Sequence, residues 1–127
     1  EVVQALTRRG YPLAIASNSL TDYIESALKG LGMCGRFAAW AGRDEVAEGK
    51  PAPDVYLLAA RRLGIPPERC LAVEDSRVGV QAAVAAGMRV VAVPGEHGSR
   101  DGFAGAWRVY PSMIQFHQAL EEILKSP

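Results

Sequence analysis

The sequence has no long apolar run, no excess of one charge and no cluster of cysteines. Its apolar stretches, such as residues 82–86 and 90–93, fall far short of the roughly 20 residues that span a bilayer. Fourteen Lys and Arg residues balance 14 Asp and Glu residues without forming a basic run, so neither a nucleic acid nor a membrane is expected as a partner. Cys34 and Cys70 stand apart, with no His at metal-binding spacing, which disfavours a disulfide scaffold and a zinc site. We therefore expect a cytoplasmic protein that binds a small molecule.

The chain has the length of one globular domain. Its 127 residues are 49% hydrophobic, and domains of about 100 to 150 residues are the most common. Residues 1–127 are accordingly expected to form a single domain.

Short apolar runs alternate with amphipathic or Ala-rich segments, a pattern typical of βα units on a parallel sheet. The runs are mostly unbroken, as expected when helices cover both faces of the sheet, so the predicted class is α/β. Strands are predicted at residues 13–16, 37–41, 70–73, 89–93 and 107–110. Helices are predicted at residues 21–31, 53–63, 78–86 and 113–125, and a glycine-rich loop at residues 96–105.

Apolar residues three or four positions apart predict the face that each helix packs on the sheet. In chain order they are Ile24, Ala27, Leu28 and Leu31; Val55, Leu58, Ala59 and Leu63; Val78, Ala82, Ala85 and Ala86; and Met113, Phe116, Leu120, Ile123 and Leu124.

The first of three polar clusters, Ser17-Asn18-Ser19, follows a predicted strand and precedes a helix. Ligands of parallel α/β sheets collect at this edge, and helix N-termini there attract anions. A Ser hydroxyl with successive backbone amides could bind a phosphoryl oxygen. The alternative is a helix cap, because Ser19 and Asp22 fit a capping pattern.

The second cluster contains Lys50 between Gly49 and Pro51. Pro51 keeps Lys50 out of the helical region, and Pro53 suits the first position of the next helix. Such a rigid corner could hold an ammonium group against the charge of a transferring phosphoryl group. A solvent-exposed lysine is the alternative.

The third cluster contains two adjacent carboxylates, Glu74 and Asp75, at the end of a predicted strand. Facing an anionic substrate they would repel it unless a cation lay between, and their hard oxygen atoms suit Mg²⁺. Asp75 or Ser76 could instead cap the following helix, but a cap does not explain Glu74.

These motifs together resemble the haloacid dehalogenase superfamily of phosphotransferases. The resemblance covers residues 11–94 and rests on Ser17, on the Gly-Lys-Pro-x-Pro-Asp stretch that starts at Gly49, and on the Val-Glu-Asp-Ser stretch that starts at Val73. The Ala-Ala-Gly-Met ending at Met88 is most similar to the β-phosphoglucomutase-like branch, which includes sugar-phosphate phosphatases.

The resemblance implies a Rossmann-like, three-layer core with a parallel sheet, and a role for each cluster. Ser17 and Asn18 would bind the phosphoryl group, and Lys50 would stabilise its charge. Asp75 would bind Mg²⁺, with Glu74 beside it, directly or through water.

The sequence departs from the family at the nucleophile. The family starts with a strand that ends in Asp-x-Asp, whose first Asp forms an aspartyl phosphate, and no such pair occurs here. In the family that strand is central, between the strands that end at Ser17 and Glu74, and a separate cap domain selects the substrate. Both are missing, so we expect residues 1–127 to be a partial core from a longer enzyme, or one whose missing strand comes from elsewhere.

The function implied by the resemblance is Mg²⁺-dependent hydrolysis of a small phosphorylated metabolite of sugar-phosphate type. The nucleophile would lie outside this chain, which alone would be inactive. A β-phosphoglucomutase-type phosphotransferase and a non-catalytic phosphate-binding module are open alternatives. Hydrolytic dehalogenation needs no metal, and Glu74 and Asp75 disfavour it.

Overall fold

The structure is a computed structural model and describes residues 2–95 and 103–125. In these ranges the strands are β1 (Ala14–Ala16), β2 (Ala39–Ala41), β3 (Leu71–Glu74), β4 (Arg89–Ala92) and β5 (Arg108–Val109). The helices are α1 (Val2–Arg8), α2 (Thr21–Gly30), α3 (Asp54–Leu63), α4 (Arg77–Ala85), α5 (Met113–Gln118) and α6 (Leu120–Lys125). Short 3-10 turns occupy Cys34–Arg36, Arg43–Glu45 and Pro67–Arg69. The alternation confirms the α/β class.

All five predicted strands are present, with ends that differ by one or two residues. Two features of the helices differ from the prediction. Helix α1 was not predicted, and its only fully buried residue is Ala5. The predicted helix over residues 113–125 is divided at Ala119. The N–H of Ala119 donates to the carbonyls of both Gln115 and Phe116. Such shared bonds tighten a helix end, while Phe116, Leu120 and Ile123 keep one buried face across the break.

Every strand pair in the described residues is parallel. β1 pairs with β2, with Ile15 opposite Trp40, and β3-β4-β5 form a second sheet. Within residues 2–95 and 103–125 no pairing joins β1 to β3. The parallel arrangement places the carboxyl ends of neighbouring strands at one edge.

Strand β4 is covered on both faces. Val90 and Ala92 belong to one hydrophobic cluster, which includes residues of α3 and α4. Val91 and Val93 belong to a second cluster with residues of α1, α5 and α6. The chain therefore has helices on both sides of its parallel strands, which is the predicted three-layer order.

An apolar cleft of about 460 Å³ lies between β1 and β3. Its lining includes residues 13–16 of the first strand region, residues 71–73 of the second and side chains from α3 and α6. Leu71 and Val73 line it and are 37% and 40% exposed. The expectation that both strand faces are buried is therefore wrong for β3, because no described element packs over these side chains.

Most predicted helix faces are confirmed, including Ile24, Leu28, Val55, Ala59 and Ala82. Five predicted positions are wrong because their side chains are exposed: Ala27, Leu31, Val78, Ala85 and Met113. Leu31 lies beyond the end of α2, and Val78 and Met113 lie in the first turns of their helices. Residues 96–102 of the predicted loop lie outside the described residues. No helix in the described ranges is long and apolar enough to cross a membrane.

Candidate active site

Lys50 is held at the edge where β1 and β3 end. Its side chain is only 10% exposed, and its Nζ lies 2.5 Å from Oε2 of Glu74. The alternative of a solvent-exposed lysine is therefore wrong. Helix α3 begins at Asp54, so Pro53, which was expected at the first helical position, is the residue directly before the helix.

Glu74 is the last residue of β3 and is 7% exposed. Its Oε2 accepts from Lys50 and also from the hydroxyl of Tyr56 on helix α3. The first turn of α4 passes so close that a Cβ atom at Gly79 would collide with the Glu74 carboxylate. A glycine at this position is what allows the carboxylate to lie there.

Tyr56 is a site residue that the sequence analysis missed. Burial, and next the negative charge of Glu74, raise the pKa of its hydroxyl well above the usual value, so the group is a hydrogen-bond donor at neutral pH. Its ring centre is also 5.1 Å from Lys50 Nζ, within the range of a cation–π contact. The available signal was a tyrosine on the buried face of a helix, because a buried hydroxyl needs a partner.

Asn18 links the first polar cluster to the second. Its Oδ1 accepts from the main-chain N–H of Lys50 at 2.8 Å, and its Nδ2 lies 3.5 Å from the Lys50 carbonyl oxygen. The Asn18 amide therefore braces the backbone of the lysine. Its predicted contact with a phosphoryl group stays a prediction.

Ser17 follows β1 directly and is half-buried. Its N–H continues the β1–β2 pairing by donating to the carbonyl of Ala41, and its Oγ accepts from the N–H of Ser19 at 3.0 Å. A hydroxyl that accepts through oxygen still has its hydrogen to donate. Ser17 is thus able to donate to an anion at the strand end.

The capping alternative for the first cluster is wrong. The residue before α2 is Leu20, which provides no side-chain cap. Asp44, from the turn after β2, accepts from both the N–H and the hydroxyl of Thr21. These bonds lower the pKa of the Asp44 carboxyl. Ser17 and Ser19 are therefore not needed to cap this helix.

The third cluster divides its roles. Ser76 is the residue before α4, and its Oγ accepts from the N–H of Gly79 at 3.1 Å. The capping alternative is correct for Ser76 and leaves Asp75 as an exposed carboxylate beside Glu74. The hydroxyl of Ser17, the ammonium of Lys50 and the carboxylate of Asp75 thus all lie at the carboxyl ends of the strands. Together they could bind and polarise a phosphoryl group.

Residues 1–87 match the family described as haloacid dehalogenase-like hydrolase. The chain belongs to the haloacid dehalogenase-like hydrolases. This confirms the resemblance seen in the sequence, and the members it matches place it with the sugar-phosphate phosphatase and phosphoglucomutase-like branch.

Among these members, the protein CbbY of Rhodobacter capsulatus is 50% identical over 88 residues, which are 68% of this chain and 39% of that protein. The crystal structure of CbbY from Rhodobacter sphaeroides in complex with phosphate superposes with a TM-score of 0.82 at 38% identity, covering 90% of this chain and 52% of that one. A mutant of that protein was solved with xylulose-(1,5)bisphosphate. A putative β-phosphoglucomutase from Thermotoga maritima gives a TM-score of 0.87 at 27% identity, covering 95% and 57%. The chain thus spans about half the length of these haloacid dehalogenase-like relatives or less.

The donor set of this family member fits a shared magnesium ion rather than a closed metal cage. No group of three or more His, Cys, Asp or Glu side chains that could hold a metal occurs in the part of the chain that the structure describes. Mg²⁺ keeps several waters and is often bound by one or two carboxylates plus substrate phosphate. Exposed Asp75 fits that role, whereas Oε2 of Glu74 is already taken by Lys50 and Tyr56.

Proposed function

We propose that this chain carries the phosphate-binding part of a phosphoric-monoester hydrolase that acts on a small sugar phosphate. The observation that carries the proposal is the nearly buried Lys50 ammonium, fixed by Glu74 at the carboxyl ends of the strands. Relatives solved with phosphate and with a sugar bisphosphate support this substrate class.

In this proposal Ser17 and Lys50 act on the phosphoryl group. The Ser17 hydroxyl donates to a phosphoryl oxygen and sets its orientation. The ammonium of Lys50, which has three N–H donors, neutralises the charge that spreads over the phosphoryl oxygens during transfer. Asn18 fixes the main chain of Lys50 through its Oδ1 atom. Its Nδ2 group has two hydrogens, and one of them donates to a phosphoryl oxygen.

Asp75 would hold Mg²⁺, with Glu74 beside it. When bound, the ion would polarise the phosphoryl oxygens and shield the substrate from the carboxylates. Asp75 is suited to this because it is exposed, next to the Lys50–Glu74 pair.

The nucleophile is proposed to come from a strand that fills the cleft between β1 and β3. Unpaired edges of parallel strands are costly and accept a further strand, and the apolar lining of the cleft suits a strand whose side chains are buried. An Asp at the end of that strand would attack phosphorus, the bond to the leaving oxygen would break, and water would hydrolyse the aspartyl phosphate. This chain alone would therefore bind phosphate but turn over nothing.

Phosphate binding is tested with inorganic phosphate, by recording main-chain amide shifts of the chain during a titration. We expect amide shifts only at residues around Ser17, Lys50 and Asp75. The apparent affinity for phosphate should fall at least tenfold in Lys50→Met. Lys29→Met is the matched control, since Lys29 is an exposed residue in the last turn of α2. Equal weakening by both substitutions, or shifts elsewhere, would contradict the proposed site.

The products that the protein from the complete gene forms from a sugar phosphate then distinguish hydrolysis from phosphoryl transfer between sugar positions. Release of inorganic phosphate supports the hydrolase. An isomeric sugar phosphate without phosphate release supports the mutase. Binding without either product would indicate a non-catalytic phosphate-binding module.

A further inference from the structure

Tyr56 and Lys50 share one acceptor atom. Both donate to Oε2 of the buried Glu74 carboxylate, from the third helix and from the corner after residue 49 respectively. The tyrosine is itself buried, with 7% of its surface exposed. Its hydroxyl therefore has a defined partner and a fixed geometry.

The position of the carboxylate is set from three sides. Lys50 and Tyr56 hold Oε2, and the close approach of Gly79 limits where the carboxylate can move. Without the tyrosine donor, the Glu74 side chain could rotate about its terminal bond, because such torsions have broad, shallow wells. Lys50 would then lose the fixed acceptor that keeps its ammonium in place.

We propose that Tyr56 is a positioning residue that fixes the Lys50 ammonium through Glu74. It does not touch the substrate; it fixes the acceptor and lies beside the lysine, with its ring centre 5.1 Å from Nζ. The contribution of Tyr56 to phosphate binding rests on the proposed function. The coupling of Tyr56 to Lys50 does not.

The coupling is measured by NMR on the lysine side-chain ammonium groups, with Lys50 assigned through Lys50→Arg. In Tyr56→Phe we expect the Lys50 ammonium protons to exchange with solvent about tenfold faster or more, as the loss of a hydrogen bond to a charged group implies. Tyr23→Phe is the control, because Tyr23 is 60% exposed. Unchanged or slower exchange in Tyr56→Phe would overturn the proposal.

A second measurement uses the unmodified chain, so the result does not depend on the variant folding. The Tyr56 hydroxyl proton should exchange slowly enough to be observed, with a nuclear Overhauser effect to the Lys50 side chain. The absence of a slowly exchanging Tyr56 hydroxyl proton with this Overhauser effect would overturn the proposal. A phosphate titration of the same sample tests the proposed function separately, because no response to phosphate would contradict that function. The coupling of Tyr56 to Lys50 is decided only by the ammonium exchange and the hydroxyl resonance.

Discussion

Replacing Gly79 with alanine should destabilise the protein although it lies in a helix, where alanine is normally the better residue. On propensity alone, Gly→Ala in a helix gains about 1 kcal/mol. Here the added methyl group would collide with the Glu74 carboxylate. The carboxylate must then leave Lys50 and Tyr56, the two donors that it now accepts from.

The expected size follows from what is left behind. Breaking a buried ion pair costs about 3 to 5 kcal/mol because a charge remains buried without a partner. Subtracting the propensity gain leaves a loss of about 2 to 4 kcal/mol, a large part of the 5 to 15 kcal/mol typical of a whole domain. With a urea dependence of about 1 to 3 kcal/mol per molar, the unfolding midpoint should fall by about 1 M or more.

Urea unfolding followed by circular dichroism measures this loss, with Gly30→Ala as the matched control. Gly30 is the last residue of α2, and a Cβ atom there would meet nothing within 4 Å. The same substitution should be neutral or stabilising at Gly30. Equal stability of the two variants would mean that a methyl group at residue 79 does not displace the Glu74 carboxylate.

A double-mutant cycle identifies the cause. In a Glu74→Ala background the carboxylate is gone, so Gly79→Ala should no longer destabilise. Residues in contact are expected to show such non-additive effects, whereas additive losses would mean that the methyl group disturbs something else.

Three further outcomes are expected. Burial raises the pKa of Tyr56 above 10.0 in the folded state, so the stability that its hydroxyl contributes is present below about pH 10 and falls above it, by up to about 1.4 kcal/mol per pH unit. The urea midpoints of wild type and Tyr56→Phe should therefore converge as the pH rises from 9 to 11, and a constant difference between them would contradict this. Asn18→Ala should cost about 1 kcal/mol in unfolding free energy and weaken phosphate binding in a titration, with the Lys50–Glu74 pair intact; unchanged phosphate affinity would contradict the bracing role. Phe116→Ala should cost about 3 to 5 kcal/mol in the same urea assay, because Phe116 is 1% exposed; a loss below 1 kcal/mol would place it outside the core.

The parts of the fold that depend on local sequence were predictable. The apolar run before Ser17 and the run before Glu74 predicted β1 and β3, because unbroken apolar runs followed by polar residues are typical of buried parallel strands. The prolines around Lys50 predicted a fixed corner. The end of α5 was not predictable, since the apolar spacing continues through Ala119 and only the hydrogen bonds show the break.

The contacts that complete the site are between residues far apart in the sequence. Tyr56 reaches Glu74 across 18 positions, and Asn18 reaches Lys50 across 32. The same holds for Asp44, which caps α2 from 23 residues away. Spacing along one segment carries no information about such pairs. The open face of β3 was also missed, because an apolar run does not show whether its neighbours are present.

We infer that this chain handles phosphate through Lys50 and obtains its nucleophile from a strand that residues 1–127 do not supply. The most direct measurement is Mg²⁺-dependent turnover of an aryl phosphate by this chain, compared with the protein from the complete gene and its Lys50→Met variant. We expect no turnover by this chain, turnover by the complete protein, and loss of most of that turnover in Lys50→Met. Turnover by this chain alone, or full activity in Lys50→Met, would contradict it.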